Sequence, residues 1–174
     1  MSSSAYSPPE AELTRPDPAG RFYAVSAPKL VVMSIATFGF FELWWHYKNW
    51  CVFCDSGERL RPGWRAVFAP FTAYWLFKRL AERGRQASLE LTPSAGVIGV
   101  LYFVVNLAST LTGGLELGSL VLLPANTLAR KLNEARSPES PAVVGWSTLN
   151  LCWLAVGIPL VALAMVGNFL ERAR

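Results

Sequence analysis

Residues 141–170 read PAVVGWSTLNLCWLAVGIPLVALAMVGNFL, thirty positions without one charged side chain. A hydrocarbon core about 30 Å thick takes roughly 20 apolar residues in a helix. The run is long enough to cross a bilayer, even tilted and with Pro159 inside it. Residues 91–115 form a second uncharged stretch of sufficient length. These two stretches make a membrane the expected solvent.

Composition agrees. Of 174 residues 52% are hydrophobic and only 16% charged, against a globular norm of about 25% charged. Seven tryptophans are many for this length, and Trp and Tyr gather where the bilayer meets water. The net charge of +4 does not indicate nucleic acid, because the basic residues form short clusters bordering apolar segments. That is the pattern of cytoplasmic loops facing an anionic leaflet. Three cysteines give no disulfide framework. Ser2, Ser3 and Ser4, Pro8, Pro9, Pro16 and Pro18 mark residues 1–25 as a disordered tail. No apolar core of a cleavable signal is present there, so insertion is expected to start at the first apolar segment.

The expected fold is an all-α, polytopic membrane bundle of four or five crossings over residues 26–174, with segments near 28–47, 62–80, 94–110, 115–130 and 147–170. The first has Ser26 as N-cap and Pro28 in the first turn. Its eight strong hydrophobes favour insertion by roughly 4 kcal/mol, which outweighs one carboxylate, Glu42, near the far end. The second has only twelve uncharged residues between Arg65 and Lys78, a length that also suits a re-entrant or interfacial helix. The third carries Ala95, Gly96 and Gly99, which permit close helix approach, and Gly113-Gly114 ends it. The fourth contains Pro124. Segments two and four echo each other: a proline (Pro70, Pro124) followed by a basic amphipathic turn.

Lys78, Arg79, Arg83 and Arg85 follow segment two, and Arg130, Lys131 and Arg136 follow segment four. The loop at Gly113 has no Lys or Arg, so the two clusters are expected in the cytoplasm. Five crossings with the N-terminus inside divide the basic residues ten to six; four, with segment two not crossing, divide them eleven to five. Counting leaves both topologies open.

Glu42, Trp45, His46 and Asn49 stand at i, i+3, i+4 and i+7, on one helix face. Ionisable groups inside a membrane mark functional sites by default. Structurally, Glu42 is expected to pair with Arg65 or Lys48. Arg65 alternatively suits lipid phosphate, which a guanidinium fits geometrically. Asn106, Asn126 and Asn150 are expected to link helices. Cys51 and Cys54 form one Cys-x-x-Cys with no companion ligand set, so no metal is expected. No phosphate-cradling loop or zinc-protease motif appears, and the chain has one histidine. No catalytic residue, cofactor or enzymatic activity is expected.

Ser26-Ala-Pro-Lys29-Leu, then Thr37-x-Gly39-x-x-Glu42-x-x-Trp45-x-x-x-Asn49-Trp50, then Pro62-x-Trp64-Arg65-Ala66-x-Phe68-Ala69-Pro70 resemble a family of small bacterial inner-membrane proteins, a membrane domain of unknown function. The likeness runs from about Phe22 to Arg83. It implies a multi-pass protein of the bacterial inner membrane. It implies no substrate or cofactor, and its pattern omits Cys51 and Cys54. The expected role is a non-enzymatic accessory or interaction protein that binds membrane lipids or a membrane partner, in a homo-oligomer or with another protein. The alternative is a small transporter or channel component using Glu42.

Overall fold

The computed structural model describes residues 20–55, 59–112 and 117–172. The expected tail before residue 20 and the Gly113-Gly114 helix end lie outside them. The described residues are all-helical: α1 Ala27–Ala36, α2 Phe40–Asp55, α3 Pro62–Val67, α4 Ala69–Gln86, α5 Ala95–Thr112, α6 Gly118–Arg136 and α7 Thr148–Arg172. Among them α5 is long and apolar enough to cross a membrane by length and composition.

Residues 28–47 are not the single helix expected. Phe38 (φ 50°) and Gly39 (φ 84°) take left-handed backbone, a conformation glycine adopts freely and phenylalanine rarely. Around this corner the Thr37 hydroxyl donates to the Met33 carbonyl and accepts from the Phe41 N–H. Ser26 occupies the N-cap position without a side-chain cap bond, and Pro28 sits in the first turn of α1. Val25, before α1, and Trp45, inside α2, both bond Asn126. The chain between them therefore goes out and comes back to one level.

Segment two is likewise broken, at Phe68. Thr72 Oγ1 donates to the Arg65 carbonyl, seven residues back, at 2.5 Å. That bond requires a sharp bend, which Pro70 eases because it brings no N–H needing a partner. Beyond it α4 is amphipathic, burying Ala73, Leu76, Phe77, Leu80 and Gly84.

Helices α4 and α5 are antiparallel neighbours. A Cβ on Gly99 would meet the Tyr74 Cβ at 3.0 Å, and Phe71 packs on Phe103 with ring centroids 5.3 Å apart. Helices α1 and α7 run in parallel. Lys29, near the start of α1, bonds Gly145 just before α7, and at the far end Gly157 lies against the Ala36 carbonyl. The core gathers Leu30, Met33, Trp45, Phe77, Tyr102 and Leu122 among others.

Residues 21–25 are not a loose tail. Phe22, Ala24 and Val25 are buried in the core. They form an extended strap that runs antiparallel to α2: Phe22 packs on Phe53, Tyr23 bonds Asn49, and Val25 lies level with Trp45.

Candidate functional site

The face of α2 singled out by spacing points inward. Glu42, Trp45, His46 and Asn49 are each at most 1% exposed, whereas Phe40 and Trp44 on the other side are exposed. Two structures are built on that face.

The first is an amide clamp on the strap. The Tyr23 N–H donates to Asn49 Oδ1 at 3.0 Å, and Asn49 Nδ2 returns a bond to the Tyr23 carbonyl at 3.1 Å. Asn126 on α6 treats Val25 the same way, at 3.0 and 2.7 Å, and its Oδ1 also accepts Trp45 Nε1 at 3.1 Å. Asn133 does so for Phe22, at 3.0 and 2.9 Å, and reaches the Ala142 carbonyl. The Val144 N–H donates to the Ala24 carbonyl at 2.7 Å. An asparagine side chain carries the donor and acceptor of a peptide unit. Three of them therefore do for the strap what neighbouring strands do in a sheet, and so satisfy buried backbone groups. Arg21 donates to the Pro141 carbonyl and Arg136 to the Gly20 carbonyl, which closes the strap against the loop after α6. Burial raises the Tyr23 phenol above its ordinary pKa, an effect a hydrogen bond with Trp44 offsets in part, so this residue stays neutral around physiological pH.

The second is a buried polar group. Tyr102 Oη on α5 donates to Glu42 Oε2 at 2.9 Å. His46 lies against the rings of Tyr102, Trp45 and Phe77, with centroids 5.2, 5.4 and 5.9 Å away. Neither His46 ring nitrogen has a hydrogen-bond partner among the described residues. The arrangement holds an imidazole one helical turn from a carboxylate in an aromatic shell.

Arg65, expected beside Glu42, is elsewhere. Its guanidinium lies 4.5 Å from the centroid of the Trp50 ring, and Arg79 approaches the same ring at 5.9 Å. Lys48 lies over Trp44. Of the three asparagines expected to join helices, Asn126 does so. Asn106 donates to Tyr102 on its own helix. Asn150 exchanges bonds with Ser147 at the start of α7. Asn133 was not read from the sequence, although it stands at i+7 from Asn126 and shares its face. Tyr102 and Lys29 were also missed; Lys29 is buried, donating to the Gly145 carbonyl at 2.6 Å beside Trp146.

Cys51, Cys54 and Cys152 are free thiols. Among the described residues no three His, Cys, Asp or Glu side chains gather as a metal site would need. Comparison of the chain with models of protein families, with curated proteins and with solved structures gives no match.

Proposed function

We propose that this is a multi-pass protein of the bacterial inner membrane, of the family its first apolar segment resembles, acting as a non-enzymatic accessory protein that binds lipid or a membrane partner. The observation that carries the membrane reading is α5. It has eighteen uncharged residues, of which 17% are buried. A core helix of a soluble protein has the same composition but hides it. Val100, Leu101, Val104 and Leu111 instead face outward, as do Leu149, Trp153, Ile158 and Leu163 of α7. Apolar surface on this scale belongs against lipid or another protein.

The fold favours three crossings, α5, α6 and α7, over the four or five expected. The chain returns to the level of Asn126 within twenty residues of leaving it, which suits α1 and α2 entering the bilayer part way. Helix α4 runs antiparallel to α5 and turns into α3 at Phe68, which suits a re-entrant pair that enters part way and returns. With three crossings, fourteen of the sixteen Lys and Arg precede α5 or lie in and after the end of α6, and Arg172 and Arg174 alone fall on the other side. That division satisfies the positive-inside rule better than either earlier topology.

An accessory role follows from how the polar residues are used. Asn49, Asn126, Asn133 and Trp45 hold the chain to itself, and the outward surface of α5 and α7 is left apolar. Expressed whole, the chain is expected to stay in the membrane pellet through an alkaline carbonate wash and to leave it only with detergent. Release by carbonate alone would remove the membrane reading.

One observation favours the transport alternative: the unpartnered imidazole of His46 beside Glu42 and Tyr102. On that reading Glu42→Gln abolishes proton or cation flux in proteoliposomes and leaves the melting temperature nearly unchanged. Retained flux would dismiss it.

A further inference from the structure

We infer that the fold is a wedge, and that the chain gathers in and stabilises membrane that bulges toward the cytoplasm. This rests on the three-crossing reading above and adds to it an activity on the shape of the bilayer.

Both re-entrant pairs, α1 with α2 and α3 with α4, stop near the middle of the bilayer. Residues 30–41 and 66–77 carry no charge. Phe38 and Phe40 at one corner, and Val67 and Phe68 at the other, are exposed and suit hydrocarbon rather than water. The corner of α1 and α2 begins beside Gly157, nine residues past the start of α7, or about 14 Å along it. Phe71 packs on Phe103, eight residues past Ala95, where α5 begins. Phe68, three residues deeper, then lies about 16 Å in. Each depth is about half of a hydrocarbon core roughly 30 Å thick. The two pairs point the same way. Arg83 meets Phe53 near their open ends, and Phe77 meets His46 further in.

The molecule is therefore thick in one leaflet and thin in the other. Its core takes Leu30, Met33, Trp45, Leu76 and Phe77 from the two pairs. Helix α5 buries Ile98, Gly99 and Tyr102, all in its first half, whereas Val104, Leu107 and Leu111 beyond them are exposed. Helix α7 meets the core at Leu154, and Leu160, Leu163 and Val166 further along are exposed. The cytoplasmic leaflet thus holds α1, α2 and α4 as well as the three crossings, with short α3 beside them. A helix about 10 Å across takes roughly 80 Å², so three add about 240 Å² to that leaflet alone. Unequal leaflet areas are relieved by bending, and the fuller leaflet becomes the convex one. Helices lodged in a single leaflet are sensitive to curvature for this reason.

The test uses the full chain in giant vesicles of phosphatidylethanolamine and phosphatidylglycerol, from which a narrow tube is pulled outward. The outer leaflet of the tube is convex. Two chains, each with Cys51, Cys54 and Cys152 changed to serine, carry Glu139→Cys or Thr112→Cys, both at exposed positions. An impermeant fluorescent maleimide added outside labels the first in molecules whose re-entrant pairs open outward. It labels the second in molecules inserted the other way. Measured against a lipid dye, the Glu139→Cys label should be denser in the tube than on the vesicle body and the Thr112→Cys label sparser. Both differences should grow as the tube narrows. If the cysteine-free chain does not fold, wild-type chains with a peptide tag before Met1 or after Arg174, stained from outside with an antibody, should give the same two results. Even density, or both labels shifting the same way, overturns the wedge. A carbonate-soluble chain removes the membrane reading first, and labelling of Glu139→Cys from the periplasm in intact cells removes the three-crossing reading. Opposite-sided labelling in cells with even density in the tube overturns the wedge alone.

Discussion

Asn126 makes three hydrogen bonds to groups that have no water to turn to. Asn126→Ala leaves the Val25 N–H and carbonyl and the Trp45 indole N–H unpaired, a loss expected to cost about 2–4 kcal/mol. Asn106→Ala, where among the described residues the amide bonds its own helix, should cost about 0.5 kcal/mol or less. Thermal melting in detergent separates the two, and equal shifts would mean the clamp contributes nothing special. Glu42 tests a second contact. Because Tyr102 is bonded to it, Glu42→Gln and Tyr102→Phe should be non-additive by about 0.5 kcal/mol or more, whereas Glu42→Gln and Arg65→Gln should simply add. Coupling of the second pair would restore the ion pair that sequence order suggested. The helical spacing of Glu42, Trp45, His46 and Asn49 identified the buried face correctly, since periodicity is a local property. It could not supply the partner. Arg65 is near Glu42 in segment order, but α3 lies at the level of Trp50, and the indole face is where its guanidinium rests.

Gly157 is where α7 crosses α1. A Cβ there would run into the Ala36 carbonyl, backbone that cannot swing aside, while a Cβ on Gly167 would meet nothing within 4 Å. Gly157→Ala is therefore expected to destabilise by about 1–3 kcal/mol. Gly167→Ala should be neutral or stabilising by up to about 1 kcal/mol, because alanine is the better helix former. Melting curves in one detergent decide, and a harmless Gly157→Ala would mean the two helices do not touch there. Helices α5 and α7 were legible in the sequence because an uncharged run defines them by itself. The division of residues 28–47 was not. Thr37-Phe38-Gly39-Phe40 reads as uninterrupted apolar sequence, and one glycine in such a run is tolerated in a helix. What breaks it is left-handed backbone at Phe38 as well as Gly39, held by a threonine hydroxyl bridging both helices. The strap was missed for a related reason. Its partners are side-chain amides from α2 and α6, so no strand-like neighbour in the sequence announces it.

At the scale of the molecule, the basic ends of α4 and α6 come together: Arg83, Gln86, Asn133 and Arg136 line one cavity with Gly20 and Phe22. The two clusters after segments two and four therefore share one end, as their composition suggested. In a chain with Cys51, Cys54 and Cys152 changed to serine, Thr112→Cys is expected to react with an impermeant maleimide from the periplasmic side. Glu90→Cys and Glu139→Cys should react only after permeabilisation. Labelling of all three from outside would rule out the three-crossing topology. The strap at that end also has a temporal side. Val25 and Asn126 are 101 residues apart, and a ribosome adds about 5–20 residues per second. The strap thus leaves the ribosome about 5–20 s before its second clamp exists, with Asn133 and Val144 later still. Throughout that interval α2 alone can hold it, through Asn49 and Phe53, so the last third of the chain, which brings Asn126, Asn133 and Val144, decides whether the strap is ever fully closed in.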